Sequence, residues 1–183
     1  IAAQKVYDFI WNVFCDWYIE LTKIRLNGTD EKAKKTVENV LCYVLIDILK
    51  LLHPFMPFIT EEIWQTLPHD GETIMKAPWP VFTDELVFAE DEAKMNIIMD
   101  AIRAIRNRRG EMNVPPSRKA KVYIATEKKD VFALSAVFMQ RLASASETEI
   151  GDSFDHLEDA VCIVTHDAKI YIPMGELVDF EAE

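Results

Sequence analysis

The sequence contains little glycine and little cysteine, and each shortage excludes a class of site. Only five of the 183 residues are glycine, and they are too widely spaced to form a glycine-rich phosphate-binding loop. The three cysteines are odd in number and far apart, and no pair of cysteines or histidines has the spacing of a zinc site. We therefore expect reduced thiols, a cytoplasmic protein and no bound metal.

The sequence also lacks any apolar run that is long and charge-free enough to span a bilayer. Half of the residues are apolar and 28% are charged, which is ordinary for a soluble globular chain. Catalytic signals are scarce, because the four histidines are scattered and no serine lies in a nucleophile motif. One acidic stretch lacks the spacing of a calcium-binding loop, and we favour a solvated loop over a cation site there. Its residues are Asp152, Asp155, Glu158 and Asp159.

Charge is distributed unevenly along this acidic chain, whose formal net charge is −11. Residues 101–121 carry seven basic side chains and one acidic side chain, whereas the segments on both sides of them are acidic. A positive segment in an acidic protein can steer one polyanion to one place while the remaining surface repels it. The pattern therefore argues against general nucleic-acid binding and favours one local contact.

Hydrophobic periodicity predicts a helical part followed by a smaller mixed part. Apolar side chains recur every three or four residues in four segments, and three later runs of β-branched residues have the length of strands. We infer a mainly α fold, a helical bundle followed by a small α+β subdomain, with domains over residues 1–114 and 115–183. The predicted helices span residues 2–26, 31–53, 60–67, 90–109 and 130–144, and the strands lie at residues 122–124, 161–164 and 170–172.

Local signals indicate where two of these helices begin. Asp30 and Thr60 each stand at the start of an apolar periodic segment, which suits the N-cap position of a helix. A pair of prolines ends the second helix at the corner before Thr60. The proline-rich segment after the third helix is expected to form an ordered loop that is anchored by Trp79 and Phe82.

The fourth predicted helix carries the strongest candidate for a polyanion contact. Arg103, Arg106 and Asn107 lie at positions i, i+3 and i+4, opposite the isoleucines of the same helix. Arg109 extends the charge to the end of the helix, and Lys119 follows a double proline. A guanidinium group suits phosphate because it donates two hydrogen bonds at once. A solvated helix face with cations near its C-terminus explains the same pattern, and both interpretations stay open.

The first predicted helix is rich in aromatic side chains, which either pack in a core or stack on unpaired bases. Phe9 and Trp17 lie on the apolar stripe and are expected in the core, whereas Trp11 and Tyr18 are expected at the surface. Another face of the helix is polar and either reads base edges or is merely solvated. It carries Asn12 and Asp16.

Four segments of the chain carry a family likeness and occur in the family's order: IWNVFCDWYIELTK (10–23), LLHPFMPFITEEIWQTLP (51–68), IMKAPWP (74–80) and IRAIRNRRGEMNVPPSRK (102–119). Together they resemble the anticodon-binding domain of class I aminoacyl-tRNA synthetases. The second segment is shared loosely by valyl, isoleucyl and leucyl enzymes, whereas the first and fourth segments narrow the resemblance to the valyl-tRNA synthetase family. Residues 171–183 resemble that family's closing strand and the start of its C-terminal coiled-coil arm.

The resemblance implies a C-terminal piece of a longer ligase that joins valine to its tRNA with ATP and Mg²⁺. The family's two ATP-handling signatures do not occur in this sequence, so we expect no catalytic residue and no cofactor in the chain itself. Its implied role is to hold the anticodon arm of tRNA(Val) while the acceptor end reaches a distant active site. We expect the longer protein to be a cytoplasmic monomer without DNA or membrane contacts. The piece is expected to self-associate through an uncovered apolar face.

The resemblance places Arg106, Asn107 and Arg109 at positions that match the family's motif. Gly110 stands where a helix former is more usual, so we expect the fourth helix to end one turn early. Three alternatives stay open: an isoleucyl or leucyl enzyme, a helical protein-interaction module without an RNA role, and, more remotely, a metal-dependent hydrolase. The candidate tRNA-binding residues are Lys23, Arg25, Arg103, Arg106, Asn107, Arg109 and Lys119, with Asn12 and Asp16 as weaker candidates.

Overall fold

The computed structural model describes residues 1–154, 156–157 and 159–177. Asp155 and Glu158 of the predicted acidic loop lie outside the described residues, and so do residues 178–183 of the predicted closing segment. The chain forms two compact units, Ile1–Glu85 and Leu86–Glu183. In the part of the chain that is described, no helix is both long and apolar enough to cross a membrane.

The first unit is built on two helical arms joined by a short turn. The first arm runs through α1 (Ala2–Phe9), a π-helical stretch (Ile10–Ile19) and α2 (Glu20–Leu26), and it packs on α3 (Glu31–Leu52). Asp30 caps α3 as predicted. Its carboxylate accepts hydrogen bonds from the backbone N–H groups of Lys32 at 3.0 Å and Ala33 at 3.1 Å, which satisfies two donors that have no partner within the helix.

The corner after α3 differs from the prediction, because α4 (Pro57–Trp64) begins three residues before Thr60. Proline suits the first helical position, since its fixed φ is helical and its missing N–H would have no partner there. Thr60 is therefore not a cap but a buried residue within α4. Its hydroxyl donates to the Met56 carbonyl at 2.8 Å and is hydrogen-bonded to Nδ1 of His53 at 2.8 Å, which ties the end of α3 to α4.

The core of the first unit forms around Trp64, which is only 1% exposed. Leu49 and Ile74 are the buried residues packed with it, so the loop after α4 is anchored at Ile74. The predicted anchors are wrong: Trp79 and Phe82 are 57% and 78% exposed. Two short 3₁₀ turns, Ile74–Lys76 and Asp84–Leu86, complete this loop.

Glu61 holds the same loop by hydrogen bonds. Its carboxylate accepts from the Thr73 hydroxyl at 2.8 Å and from the backbone N–H of Ile74 at 3.2 Å. Hydrogen bonds from the side chains of Gln65 and Thr73, and from the backbone N–H of Ile74, lower the pKa of Glu61 below its ordinary value. One carboxylate thus fixes the chain beside the residue that enters the core.

The second unit combines helices with one four-stranded sheet. Its elements in chain order are α5 (Ala89–Glu111), β1 (Ala120–Ala125), α6 (Lys129–Leu134), α7 (Ala136–Leu142), β2 (Ala145–Gly151), β3 (Ala160–Val164), β4 (Lys169–Pro173) and α8 (Met174–Leu177). The strands lie in the order β2–β1–β4–β3. The pair β1–β2 is parallel and is connected through α6 and α7, whereas the other two pairs are antiparallel.

The prediction of a mainly helical chain with a small α+β part is confirmed at this level, but β2 was missed. Its sequence ASETEIG is mostly polar, and the strand lies at the edge of the sheet with several exposed side chains. A polar edge strand carries little of the β-branched signal on which strand prediction depends. Parallel pairing with β1 is a tertiary feature that local sequence does not encode.

Helix α5 belongs by its contacts to the second unit. It packs on α6 and β3, and its buried face includes Ile98, Ile102 and Ile105, as the periodicity predicted. The division of the structure after Glu85 thus differs from the predicted domain boundary between residues 114 and 115. The predicted domain assignment itself stays a prediction.

The replacement Gly110→Ala is expected to raise the free energy of unfolding by about 0.5–1 kcal/mol. The predicted early end of the helix is wrong, because α5 continues through Gly110 to Glu111. A Cβ atom at residue 110 meets no atom within 4 Å, so alanine gains helix propensity without a clash. Urea denaturation followed by circular dichroism measures the change.

The matched control is Gly151→Ala, for which we expect destabilisation. A Cβ atom at residue 151 lies 2.8 Å from the ring of the buried Phe154, so the core must shift to accept it. Lower stability of the Gly110 variant would contradict the helical conformation assigned to that residue.

Candidate nucleic-acid interface

Arg109 is the predicted contact residue that the structure places least favourably for binding RNA. It is 6% exposed, and burial lowers the pKa of its guanidinium below the ordinary value. Its Nη2 donates to the backbone carbonyls of Pro115, at 3.3 Å, and Arg118. The prediction treated Arg109 as part of an exposed helix face; in the structure its donors are directed at its own chain, because the polypeptide turns back over the end of α5.

The other arginines of α5 lie at the surface but also have protein partners. Arg103 pairs with Asp100 at 2.9 Å, and Arg108 pairs with Glu111 at 3.0 Å. Nε of Arg106 donates to the Leu142 carbonyl at the end of α7, at 2.6 Å. Exposed ion pairs of this kind contribute little to stability and exchange readily for other partners. Arg103 is thus an exposed, paired cation, whereas Arg106 also fastens α5 to α7.

Asn107 and Lys119 are exposed in the second unit, and Lys119 lies at the end of a well-defined loop. We call residues 113–119 the double-proline loop. It begins with a Schellman motif: the N–H of Asn113 donates to the Gly110 carbonyl at 3.0 Å, and the N–H of Val114 donates to the Arg109 carbonyl at 2.9 Å. Asn113 adopts φ +54°, which asparagine tolerates better than most residues.

The candidates on the first arm of unit one are exposed or half-buried. Lys23 is half-buried and forms an ion pair with Glu20 one turn earlier, whereas Arg25 is exposed near the end of α2. Asn12 and Asp16 are exposed within the π-helical stretch. Turns of π-helix within a longer α-helix often occur at functional sites.

The aromatic predictions for the first arm were only partly correct. A π turn contains more residues than an α turn, so within Ile10–Ile19 the side chains rotate away from the positions that a 3.6-residue period predicts, whereas Phe9 lies in α1, before that stretch. Trp17 is buried and Trp11 is 52% exposed, as predicted, but Phe9 is 42% exposed and not in the core. Tyr18 is half-buried, and burial raises the pKa of its hydroxyl.

Comparison with known proteins adds an independent observation to this geometry. A family model described as the anticodon-binding domain of tRNA ligase matches residues 1–124, more than half of the chain. The chain belongs to this family. Its similarity to valine–tRNA ligases extends over 100% of its length, with 54% identity over 185 residues in Clostridium tetani and 50% over 186 residues in Clostridium perfringens. The enzyme of Geobacillus stearothermophilus is 45% identical over 184 residues, 99% of the chain.

These matches confirm the resemblance to anticodon-binding domains and to valyl-tRNA synthetases that the sequence motifs indicated. They do not favour the isoleucyl, leucyl or protein-interaction alternatives. The chain spans 21% of the length of each of these three relatives. The range that the family model matches, residues 1–124, includes both α5 and the double-proline loop.

The structure of this anticodon-binding domain reveals two residues that sequence analysis missed. The Ser144 hydroxyl donates to the Pro116 carbonyl at 2.9 Å, and the Glu176 carbonyl accepts from Nε of Arg118 at 2.6 Å. Both hold the double-proline loop from positions far away in sequence, and neither is among the predicted contact residues. Among the described residues, no three His, Cys, Asp or Glu side chains form a group that could hold a metal ion.

Proposed function

We propose that this chain binds the anticodon arm of tRNA(Val) as part of a valine–tRNA ligase. The observation that carries the proposal is the similarity to valine–tRNA ligases over the full length of the chain, together with the family match to anticodon-binding domains. The two helical arms of the first unit and α4 would belong to the helical bundle predicted from sequence. Such a domain does no chemistry but fixes the tRNA, which favours the correct substrate through positioning.

The proposed contacts fall into two sets, one in each unit. Lys23 and Arg25 form the set in the first unit, and Arg103, Asn107 and Lys119 form the set in the second unit. Cations of both sets would bind phosphate, which positions an RNA without reading its sequence. The exposed polar side chains of Asn12 and Asp16 would supply base contacts. Arg106 would support these contacts by holding α5 to the end of α7, because its Nε donates a hydrogen bond to the Leu142 carbonyl.

The rest of the ligase would use ATP and Mg²⁺ to activate valine and transfer it to the tRNA, in the cytoplasm and as a monomer. The described residues supply binding surface for this reaction and no group that reacts. Self-association of the isolated chain stays a prediction. Large apolar side chains such as Tyr7, Tyr43 and Phe58 are exposed on the first unit, which supports it.

A binding experiment with two RNAs tests the proposed function. The chain is titrated with a tRNA(Val) transcript and with the same transcript carrying a changed anticodon, across a series of salt concentrations. We expect tighter binding to the native anticodon and a steep loss of affinity as salt rises, because phosphate contacts release counterions. Equal binding to both RNAs would overturn anticodon recognition by this chain, and no binding at low salt would overturn the RNA role altogether.

A further inference from the structure

The buried guanidinium of Arg109 needs a structural reason, because burying a charge is costly unless hydrogen bonds compensate it. The two carbonyls that it contacts, those of Pro115 and Arg118, are three residues apart. The N–H of Arg118 also donates to the Pro115 carbonyl at 3.1 Å, which closes a turn between them. One guanidinium therefore holds both ends of the turn in the double-proline loop.

The position of Lys119 depends on this turn. The peptide group that joins Arg118 to Lys119 is fixed on one side, because its carbonyl oxygen accepts a hydrogen bond from Arg109. On the other side of Lys119, β1 begins at Ala120. The N–H of Ala120 is fixed to the Ser144 carbonyl at 3.2 Å. Lys119 thus lies between two fixed peptide groups, and its side chain is exposed. A cation held in this way loses less conformational entropy when it binds a phosphate.

We propose that Arg109 is a positioning residue, which holds the double-proline loop so that Lys119 meets an RNA phosphate without itself contacting the RNA. This inference rests on the proposed tRNA-binding function and deepens it. The arginines of this basic segment then have two roles. The exposed arginines supply charge at the surface, whereas the buried Arg109 holds the backbone of the double-proline loop in place. Both hydrogen bonds come from Nη2 at the far end of the guanidinium, and a lysine side chain, which is one atom shorter, does not carry its ammonium that far.

The test compares Arg109→Lys, Lys119→Gln and the double variant in the full chain. Arg109→Lys keeps the charge but shortens the side chain by one atom, so its ammonium no longer reaches the two carbonyls, and we expect it to weaken tRNA binding about threefold, as much as Lys119→Gln does. Both changes should reduce the slope of log affinity against log salt by about 0.7–0.9, the share of one phosphate. In the Lys119→Gln background, Arg109→Lys should then have no further effect, because the cation that it positions is gone.

The matched control is Arg108→Lys, which makes the same change at an exposed neighbour and should leave affinity unchanged. Amide hydrogen exchange of Arg118, measured without RNA, should accelerate in Arg109→Lys and stay unchanged in Arg108→Lys. If Arg109→Lys fails to fold, Ser144→Ala loosens the same loop from its other side and should reproduce the pattern more weakly.

The outcomes distinguish this inference from the function on which it rests. Additive losses in the double variant, or unchanged affinity and exchange in Arg109→Lys, would overturn the positioning role while tRNA binding stands. Absence of tRNA binding by the unaltered chain would overturn the proposed function, and the inference with it.

Discussion

Trp64→Ala is expected to lower the free energy of unfolding of the first unit by about 3–5 kcal/mol. The indole is 1% exposed and packs with Leu49 and Ile74, so its removal leaves a cavity where α3, α4 and the following loop meet. It also removes the ring that lies 3.7 Å, centroid to centroid, from His69. Urea denaturation followed by far-ultraviolet circular dichroism measures the loss.

Trp79→Ala is the matched control, because the same side chain is removed from a position that is 57% exposed. We expect a change within about 0.5 kcal/mol for this variant. Trp64→Phe refines the comparison. The indole Nε1 is buried without a hydrogen-bond partner among the described residues, so phenylalanine retains much of the packing and loses no hydrogen bond. Equal losses in the two alanine variants would contradict the location of this core.

The helical arms of the first unit could be predicted from sequence because their signals are local. Asp30 is followed by an apolar periodic segment, and its side chain caps α3 as expected. The corner at Thr60 shows the limit of the same reasoning. Threonine suits an N-cap, but proline at the first helical position and the hydrogen bond between Thr60 and His53 outweigh that preference. The second effect depends on two helices meeting, which no local pattern contains.

The candidate site could be predicted as a charged segment but not as an arrangement of side chains. The basic residues of α5 fall on the predicted helix, yet Arg109, which was predicted to contact RNA because of its charge, is buried. It follows Ile105 by four residues and therefore continues the buried face of the helix. Arg109 is buried because the double-proline loop turns back over the end of α5. Hydrogen bonds to Ser144 and Glu176 hold that loop. Composition locates charge along a chain, whereas the tertiary path decides which charges face solvent.

Replacing the four proposed phosphate-binding cations with glutamine is expected to weaken tRNA binding by on the order of a hundredfold at low salt. The variant combines Lys23→Gln and Arg25→Gln in the first unit with Arg103→Gln and Lys119→Gln in the second. Each lost phosphate contact reduces the salt slope by about 0.7–0.9, so the four together should reduce it by about 3. Titrations at several salt concentrations measure both quantities, and each pair alone should produce about half of the slope change.

The control variant makes the same change in net charge at four other exposed lysines, which all lie outside the proposed contacts. These are Lys76, Lys94, Lys128 and Lys129. A more negative chain repels RNA at long range, so we expect some loss of affinity at low salt. The slope of log affinity against log salt should change far less than in the contact variant, because the control variant loses no phosphate contact. Similar slopes in the two variants would mean that overall charge, and not the named residues, governs binding, and the assignment of the contacts would then be wrong.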